Sequence, residues 1–329
     1  MLVLLSFLVP FSLGAQEQAS KTSGAGRNGF TVEPYLKVKL GYTNYVLLAT
    51  GIKSKLEFPL NSLVLGGRYR YAVQSGGVDE WRFQLSAETT VAGPWGLMKD
   101  HDWYVFSGYP PVKFSYTESE VEMAYFDINT SFEKRLFSRS DFHLYSRAKY
   151  GYQQIEQDAL GFNGWQYVLI SEGDEETNPT FELVPMDSNL KALEYKIIYH
   201  SFGFGGRFDW SPLREVRLSV GLMPQLVYLQ DRDDHVLRNK LSIARGFGLG
   251  GEGDAVLSYS WGEDENYRPY VSLRAQLKYI WANTEQTQEW YDSEPNTGED
   301  ETGLRYTGIT HIVESLQVDL SLSAGVWYW

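Results

Sequence analysis

Two acidic stretches, far apart in the chain, combine residue types and a spacing that could activate water. One contains Asp100 and Asp102, and the other contains Asp231, Asp233 and His235. Side chains two residues apart point to the same side of an extended strand, so each stretch would present its acids on one face. Two such faces that meet across a gap, with one histidine among them, could hold a water molecule and remove its proton. The sequence therefore predicts a hydrolytic site, provided that the fold brings the two stretches together.

The composition excludes several classes of function. The chain has 329 residues, no cysteine and a formal net charge of −13. A chain without cysteine has neither a disulfide nor a thiol nucleophile, and so much negative charge argues against a nucleic-acid partner. The mean hydropathy is −0.33, although the chain has 23 Tyr, 17 Phe and 10 Trp. That aromatic content is typical either of a soluble core or of the aromatic girdles of an outer-membrane barrel.

The N-terminal region has the features of an export signal. Residues 1–15 are apolar, are too short to cross a membrane as a helix, and end in Leu13-Gly14-Ala15, which resembles a signal-peptidase site. Residues 16–31 are polar and rich in Gly and Ser. We therefore expect a signal peptide at 1–15, a flexible leader at 16–31 and one domain at 32–329.

From residue 32 onward, apolar and polar residues alternate with a period of two. Clear examples are 216–222 and 271–279, and no segment has a convincing 3.6-residue period. Several alternating runs exceed the roughly 9–11 residues that cross a bilayer as a tilted strand. Their polar positions carry Arg, Lys, Glu and Gln, which suit a filled polar lumen better than the outside of a soluble sandwich. The pattern predicts an all-β protein, a transmembrane antiparallel β-barrel with its apolar face outward.

The connections indicate which end of the barrel carries the site. About ten strands are predicted, at 32–50, 55–73, 79–96, 118–136, 141–157, 191–210, 214–230, 240–262, 267–284 and 306–329. Short turns at 74–77, 138–140, 211–213 and 262–266 alternate with long connections at 97–117, 158–190, 231–239 and 285–305. Short turns at one end and long loops at the other are typical of outer-membrane barrels. Both acidic stretches would then lie in loops at the outer rim, where they can meet.

The two motifs, in this order on this strand pattern, resemble those of the omptins. These are aspartyl-type proteases with ten-stranded barrels in the outer membrane of Gram-negative bacteria. The first motif is Met98-Lys99-Asp100-His101-Asp102-Trp103 and the second is Asp231-Arg232-Asp233-Asp234-His235. The resemblance implies an endopeptidase in which Asp100 and Asp102 form an aspartate pair and Asp233 with His235 forms a dyad. It also implies that Asp231 binds a basic side chain of the substrate.

The resemblance also implies partners and a location. The chain would be a monomer in the outer membrane, with its site facing outward, and would cleave cationic peptides or proteins without a cofactor. Lipopolysaccharide activates the family through a run that corresponds to Tyr152, Gln154 and Glu156. Gln154 and Glu156 replace the acid and the base of that run, so we expect activation by lipopolysaccharide to be altered or absent.

Other interpretations of the same residues stay open. The barrel could be catalytically inactive and act as an adhesin or a structural surface protein. A Ca²⁺ loop is disfavoured because the second motif lacks the glycine at its sixth position, whereas a Zn²⁺ site formed by His235 and carboxylates is conceivable. His143, His200 and His311 have no acidic residue at a useful spacing and are predicted to be ordinary strand residues.

Overall fold

The computed structural model describes residues 27–75, 78–167, 181–183, 186–262, 266–293 and 300–329. These residues form the following segments: β1 Arg27–Ala49, β2 Ile52–Pro59, β3 Ser62–Ser75, β4 Val78–Ala92, β5 Met98–Tyr104, β6 Val112–Arg139, β7 Phe142–Tyr167, β8 Phe181–Leu183, β9 Met186–Trp210, β10 Val216–His235, β11 Lys240–Ser260, β12 Tyr267–Trp290 and β13 Arg305–Tyr328. A 3-10 turn at Val236–Arg238 joins β10 to β11. In these ranges no helix is long and apolar enough to cross a membrane.

The predicted N-terminal segments lie largely outside the described residues. The signal peptide at 1–15 is among the residues that are not described, as is the leader up to residue 26. The first strand already begins at Arg27, so the barrel starts before the predicted boundary at residue 32. From Phe30 onward this strand pairs with the end of the chain.

The strands close into a ring. Going round it, the order is β1, β3, β4, β6, β7, β9, β10, β11, β12 and β13, and β13 pairs again with β1. Between β1 and β6 the upper part of the wall is continued by β2 and β5, which pair with each other. Thus β2 with β3 is one interrupted barrel strand, and β4 with β5 is another. Pro59 and Pro94 lie at these interruptions, where a residue without an N–H cannot continue the ladder. The prediction of about ten barrel strands is confirmed.

The barrel has its apolar side outward. On β1, the side chains of Leu36, Val38 and Leu40 are 48%, 39% and 49% exposed, while the intervening Lys37 and Lys39 are 7% and 1% exposed. The same alternation recurs on the strands that form the rest of the wall. An outward apolar surface around a polar interior is the arrangement of a transmembrane barrel. The predicted fold class, a transmembrane antiparallel β-barrel, is therefore confirmed.

The outward apolar surface ends well before the strands do. We call this surface the belt; its edge lies at Tyr228 on β10 and at Trp281 on β12. The next outward positions beyond that edge are polar: Gln230, Arg232, Asp234, Asn283 and Glu285. The wall therefore extends past the lipid-facing region into water. We call this extension the upper barrel.

The two acidic stretches lie on strands of the upper barrel, so their predicted placement in loops is wrong. The first belongs to β5, and the second is the end of β10, where Asp231 pairs with both Ile197 and Ala244. The connections predicted at 97–117 and 231–239 shorten to 105–111 and 236–239, and β7, β9 and β12 likewise extend into those predicted at 158–190 and 285–305. Beyond the belt both faces of a strand are polar or mixed, so the alternation of apolar and polar residues disappears from the sequence. The backbone hydrogen bonds between the strands nevertheless continue.

The interior changes character along the barrel axis. At the level of the belt the lumen is filled by charged side chains such as Lys37, Glu88 and Asp319, and the space left among them is about 30 Å³. In the upper barrel the interior is an apolar and aromatic cluster that includes Tyr45 and Tyr195. The candidate site lies on this cluster, separated from the lipid-level lumen by packed side chains.

Candidate active site

Asp233 and His235 form the centre of the candidate site. They occupy alternate, inward-facing positions at the end of β10, as their spacing predicts. The Nε2 atom of His235 lies 3.1 Å from Oδ2 of Asp233, whose side chain is fully buried, while 15% of the His235 side chain is exposed. The other ring nitrogen, Nδ1, has no hydrogen-bond partner in the described part of the chain. The imidazole is therefore held by an acid on one side and free to accept a proton on the other.

The surroundings of this pair favour an ionised aspartate and a neutral histidine. Burial raises the pKa of Asp233, but the charge and hydrogen bond of His235 and a hydrogen bond from Tyr45 outweigh it, and the pKa stays below its usual range. Burial lowers the pKa of His235, as do the charges of Lys240 and Arg238, and the opposing effect of Asp233 does not restore it. A neutral imidazole next to an ionised carboxylate is the state that a general base requires near neutral pH.

Asp100 and Asp102 are brought to the same site by β5. They lie on the strand face that also carries the buried Met98, while His101 and Trp103 stack on the opposite face. The pKa of Asp100 is raised to about 8, chiefly by burial and also by the charges of Asp102 and Asp233, against the opposing charges of Arg238 and Lys240. The charge of Asp233 contributes to the raised pKa of Asp100, so the two stretches lie within electrostatic range of each other.

The surroundings therefore favour opposite protonation states for the carboxyls of Asp100 and Asp233 near neutral pH. They favour the neutral acid for Asp100, one of whose oxygens is buried without a hydrogen-bond partner. Asp233 is an anion. Carboxyls whose pKa values are pushed apart by their surroundings can take the roles of proton donor and proton acceptor. The arrangement can thus activate water and also stabilise the charge that develops during its attack.

Asp231 lies one layer deeper and is enclosed. Its side chain is 2% exposed, and its Oδ2 accepts a hydrogen bond of 2.8 Å from the hydroxyl of Tyr195. The Nε2 atom of His311 lies 3.6 Å from the same oxygen, and the Nδ1 atom of His311 lies 3.0 Å from the hydroxyl of Thr284. Burial raises the pKa of Asp231 well above its usual value. That Asp231 binds a basic side chain stays a prediction.

Sequence reasoning missed three members of this site. His311 is a strand residue, as predicted, but an acid that no sequence spacing indicates, Asp231, lies 3.6 Å from its Nε2 atom across the barrel. Tyr45 and Tyr195, which donate to Asp233 and Asp231, come from β1 and β9. The only sequence signal is their inward parity, which they share with many core residues. His143 and His200 contact Ser138 and Tyr150 instead, at 2.9 and 3.0 Å.

The described residues hold no group of three or more His, Cys, Asp or Glu side chains arranged to bind a metal ion. The Zn²⁺ site that the sequence left open would need a third ligand beyond His235 and Asp233. The observed pair accounts for the geometry of both residues without one.

Comparisons with known proteins bear on the fold. No family model matches the sequence, and no curated protein matches it either. The solved structure of the outer membrane protease OmpT from Escherichia coli is 14% identical, with 94% of this chain and 98% of that chain covered and a TM-score of 0.69. The translocator domain of the autotransporter NalP from Neisseria meningitidis is 10% identical over 92% of this chain and 88% of that chain, at a TM-score of only 0.34. This chain thus has the fold of an OmpT-like outer-membrane β-barrel.

Proposed function

We propose that this protein is an outer-membrane endopeptidase of the omptin type, with its active site in the upper barrel. The observation that carries the proposal is the 3.1 Å contact between His235 and Asp233, and the raised pKa of Asp100 supports it. Two motifs that are remote in sequence thus supply a base, the group that orients it, and an acid. These parts are sufficient for peptide hydrolysis by activated water.

In the proposed mechanism a water molecule is held between the Asp100–Asp102 pair and His235. As the water oxygen bonds to the scissile carbonyl carbon, Nδ1 of His235 takes its proton, and Asp233 stabilises the imidazolium that forms. The protonated carboxyl of Asp100 donates a hydrogen bond to the developing oxyanion. When the tetrahedral intermediate collapses, the C–N bond breaks and the imidazolium returns the proton to the leaving amine.

The proposed substrates are cationic peptides or proteins. The chain carries a net charge of −13, and a negative field attracts and orients cationic ligands. Asp231 would recognise a basic side chain if substrate binding displaces the Tyr195 hydroxyl or His311 from its carboxylate. The proposed setting is the outer membrane of a Gram-negative bacterium, with the protein a monomer and its site facing outward.

Lipopolysaccharide is the proposed activator, with an altered effect. Tyr152, Gln154 and Glu156 are connected side by side on β7, by a 2.6 Å hydrogen bond from Tyr152 to Gln154 and a 3.0 Å bond from Gln154 to Glu156. Lys196 forms an ion pair with Glu156 at 2.6 Å. The polar groups of these side chains already have partners within the protein. This supports a weaker effect of the phosphate groups of lipopolysaccharide on this chain.

The test is cleavage of a fluorogenic cationic peptide by refolded protein, with and without lipopolysaccharide. We expect Asp100→Asn, Asp233→Asn and His235→Ala each to lower kcat/KM by at least about 100-fold. Asp234→Asn is the matched control, because Asp234 adjoins the dyad but pairs with Arg232 on the outside at 3.2 Å. A wild-type protein that is folded and leaves every peptide intact would refute the proposal.

A second candidate function rests on the rim itself. The connection between β5 and β6 exposes Phe106 and Tyr109, at 53% and 74%, and β6 begins with Val112, at 55%, well beyond the lipid-facing belt. Exposed apolar side chains of this kind occur at protein-binding surfaces. A barrel that only binds other proteins, as an adhesin or a structural surface protein, would retain a peptide or protein without cleaving it, and its binding would not depend on His235.

A further inference from the structure

A cavity lies at the end of the barrel opposite the candidate active site. It has a volume of about 510 Å³ and lies beside the end of β3 and the short connection after β9. Its wall carries six arginines and three acidic residues: Arg70, Arg82, Arg207, Arg214, Arg217, Arg268, Asp79, Glu133 and Glu215. A chain with a net charge of −13 has no general excess of cations to distribute. The local positive charge is therefore a property of this cavity.

Three of the arginines belong to the structural ion pairs of the wall, and one of them, Arg70, lies 3.3 Å from Glu33. Arg82 pairs with Asp79 at 2.8 Å and with Asp209 at 2.7 Å. Arg207 pairs with Asp209 at 3.0 Å and lies 3.7 Å from Glu133. These contacts engage the carboxylates of Asp79, Asp209 and Glu133, and Arg217 lies within electrostatic range of Asp79 and Asp209 without forming an ion pair with either.

The other arginines of the cavity are not neutralised in this way. Neither Arg214 nor Arg217 has an ion pair with any residue that the structure describes. Arg268 donates through Nη2 to the backbone carbonyl of Arg214 at 2.8 Å, which brings two like charges together. The Nε atoms of Arg268 and Arg70 are buried without a hydrogen-bond partner. Buried donors without acceptors are rare because they are costly, so they point to an acceptor supplied from outside the chain.

We propose that this cavity binds a small anion that carries two or more phosphate or carboxylate groups. Arg214, Arg217 and Arg268 would bind the charged groups, since guanidinium forks match the geometry of phosphate and carboxylate oxygens. Glu215 is the one acid of the wall without an ion pair in the described ranges, so three cations face one opposing charge. The volume lies within the range of small-molecule sites, roughly 300–1,000 Å³.

Two tryptophans form the aromatic part of the cavity wall, and the packed lumen separates the cavity from the upper barrel. Trp327 and Trp329 line the cavity with their rings stacked, the centroids 5.3 Å apart and the planes inclined by 8°. They give the ligand a rigid apolar surface beside the arginines. The packed lumen at the level of the belt, with its space of about 30 Å³, separates this cavity from the upper barrel. The anion site is therefore independent of the proposed peptidase activity.

The test is isothermal titration calorimetry with inorganic pyrophosphate, on protein refolded in a non-ionic detergent. We expect saturable binding at one site, weakened at least about tenfold by Arg217→Gln and by Arg268→Gln. Arg232→Gln is the control, because Arg232 is an exposed arginine at the other end of the barrel. Arg217→Gln should leave the fold intact, since Arg217 is exposed and forms no ion pair in the described part; circular dichroism checks this.

Two results would overturn the proposal. One is the absence of saturable heat at millimolar pyrophosphate, and the other is equal affinity in the Arg217→Gln and Arg232→Gln proteins. A second arm identifies the source of the anion by measuring pyrophosphate binding in anionic vesicles that contain cardiolipin, whose headgroup carries two phosphates, and in vesicles of phosphatidylcholine alone. Weaker pyrophosphate binding only in the anionic vesicles would identify a lipid headgroup as the occupant, and equal binding in both would identify a free anion.

Discussion

The lumen at the level of the belt and the candidate site in the upper barrel bury the same kind of acid in opposite ways. In the lumen, Lys37 lies 2.6 Å from Glu88 and 3.1 Å from Asp319, and Lys39 lies 3.0 Å from Asp319. In the site, the close contacts of Asp231 and Asp233 come from tyrosines and histidines: Tyr45, Tyr195, His235 and His311.

The difference separates acids that hold the barrel together from acids that can exchange protons. A carboxylate between lysines is fixed in its charged state, and removing one partner leaves an uncompensated buried charge. A carboxyl held by a tyrosine or a histidine can gain or lose a proton at moderate cost, because its partner is neutral or can change its own charge. Asp231 and Asp233 of the proposed site are therefore held by groups that can exchange protons, whereas Glu88 and Asp319 in the lipid-level lumen are held by lysines.

The largest effect that follows from the comparison is on stability. We expect Lys37→Met to lower the free energy of unfolding by about 3–5 kcal/mol, because it leaves Glu88 and Asp319 with too little positive charge. Asp100→Asn should cost less than about 1 kcal/mol at pH 7, since the group it replaces is already neutral. Urea unfolding in lipid vesicles measures both. Equal losses of unfolding free energy in Lys37→Met and Asp100→Asn would contradict the distinction between the lumen and the candidate site.

The next effect is the dependence of stability on pH. The pKa of Asp100 rises from 3.8 to about 8 on folding, chiefly through burial. Between these values the unfolded chain releases the proton that the folded chain retains, so stability falls as the pH rises from about 4 to about 8 and this loss ends above that range.

Asp100→Asn removes this contribution. Between pH 5 and pH 8 the free energy of unfolding should fall in both proteins. We expect the decrease to be smaller in Asp100→Asn than in the wild type, by at least about 1 kcal/mol. Asp234→Asn, which alters an outward-facing acid paired with Arg232, should follow the wild type. Parallel curves for the wild type and Asp100→Asn would contradict the assignment of a raised pKa to Asp100.

The smallest effect concerns Tyr45. Its hydroxyl donates to the Asp233 oxygen that also contacts His235, and so helps to keep the pKa of Asp233 low. We expect Tyr45→Phe to raise the pKa of Asp233, to move the acid limb of the pH profile of cleavage to higher pH, and to lower kcat/KM about tenfold. Tyr42→Phe, an outward-facing neighbour on β1, should leave the profile unchanged. If the acid limb of the pH profile does not shift in Tyr45→Phe, the role of Tyr45 is only to pack against its neighbours.

The barrel and the shared face of Asp233 and His235 could be predicted from the sequence for a physical reason. Where one face of a strand meets lipid and the other a polar lumen, side chains must alternate, and the runs at 216–222 and 271–279 show it. The i, i+2 spacing likewise places Asp233 and His235 on one face. Above the belt this contrast disappears, so the strand ends at Tyr104 and His235 could not be located.

The partners of the site could not be predicted, because closure of the barrel sets them. His311 reaches Asp231 only because β13 pairs with β1 in the register that aligns Leu47 with His311. Tyr195 reaches Asp231 because β9 lies beside β10. No local spacing encodes either contact, since each depends on the registers of strands that are remote in the sequence.

The central claim is that the two acidic stretches act as one site, and a double-variant cycle on cleavage tests it most directly. Residues that act as a unit in catalysis have strongly non-additive effects. We expect kcat/KM for the Asp100→Asn/His235→Ala protein to lie within about threefold of the slower single variant. Losses that simply multiply, or single variants as active as the wild type, would show that Asp100 and His235 do not form one active site.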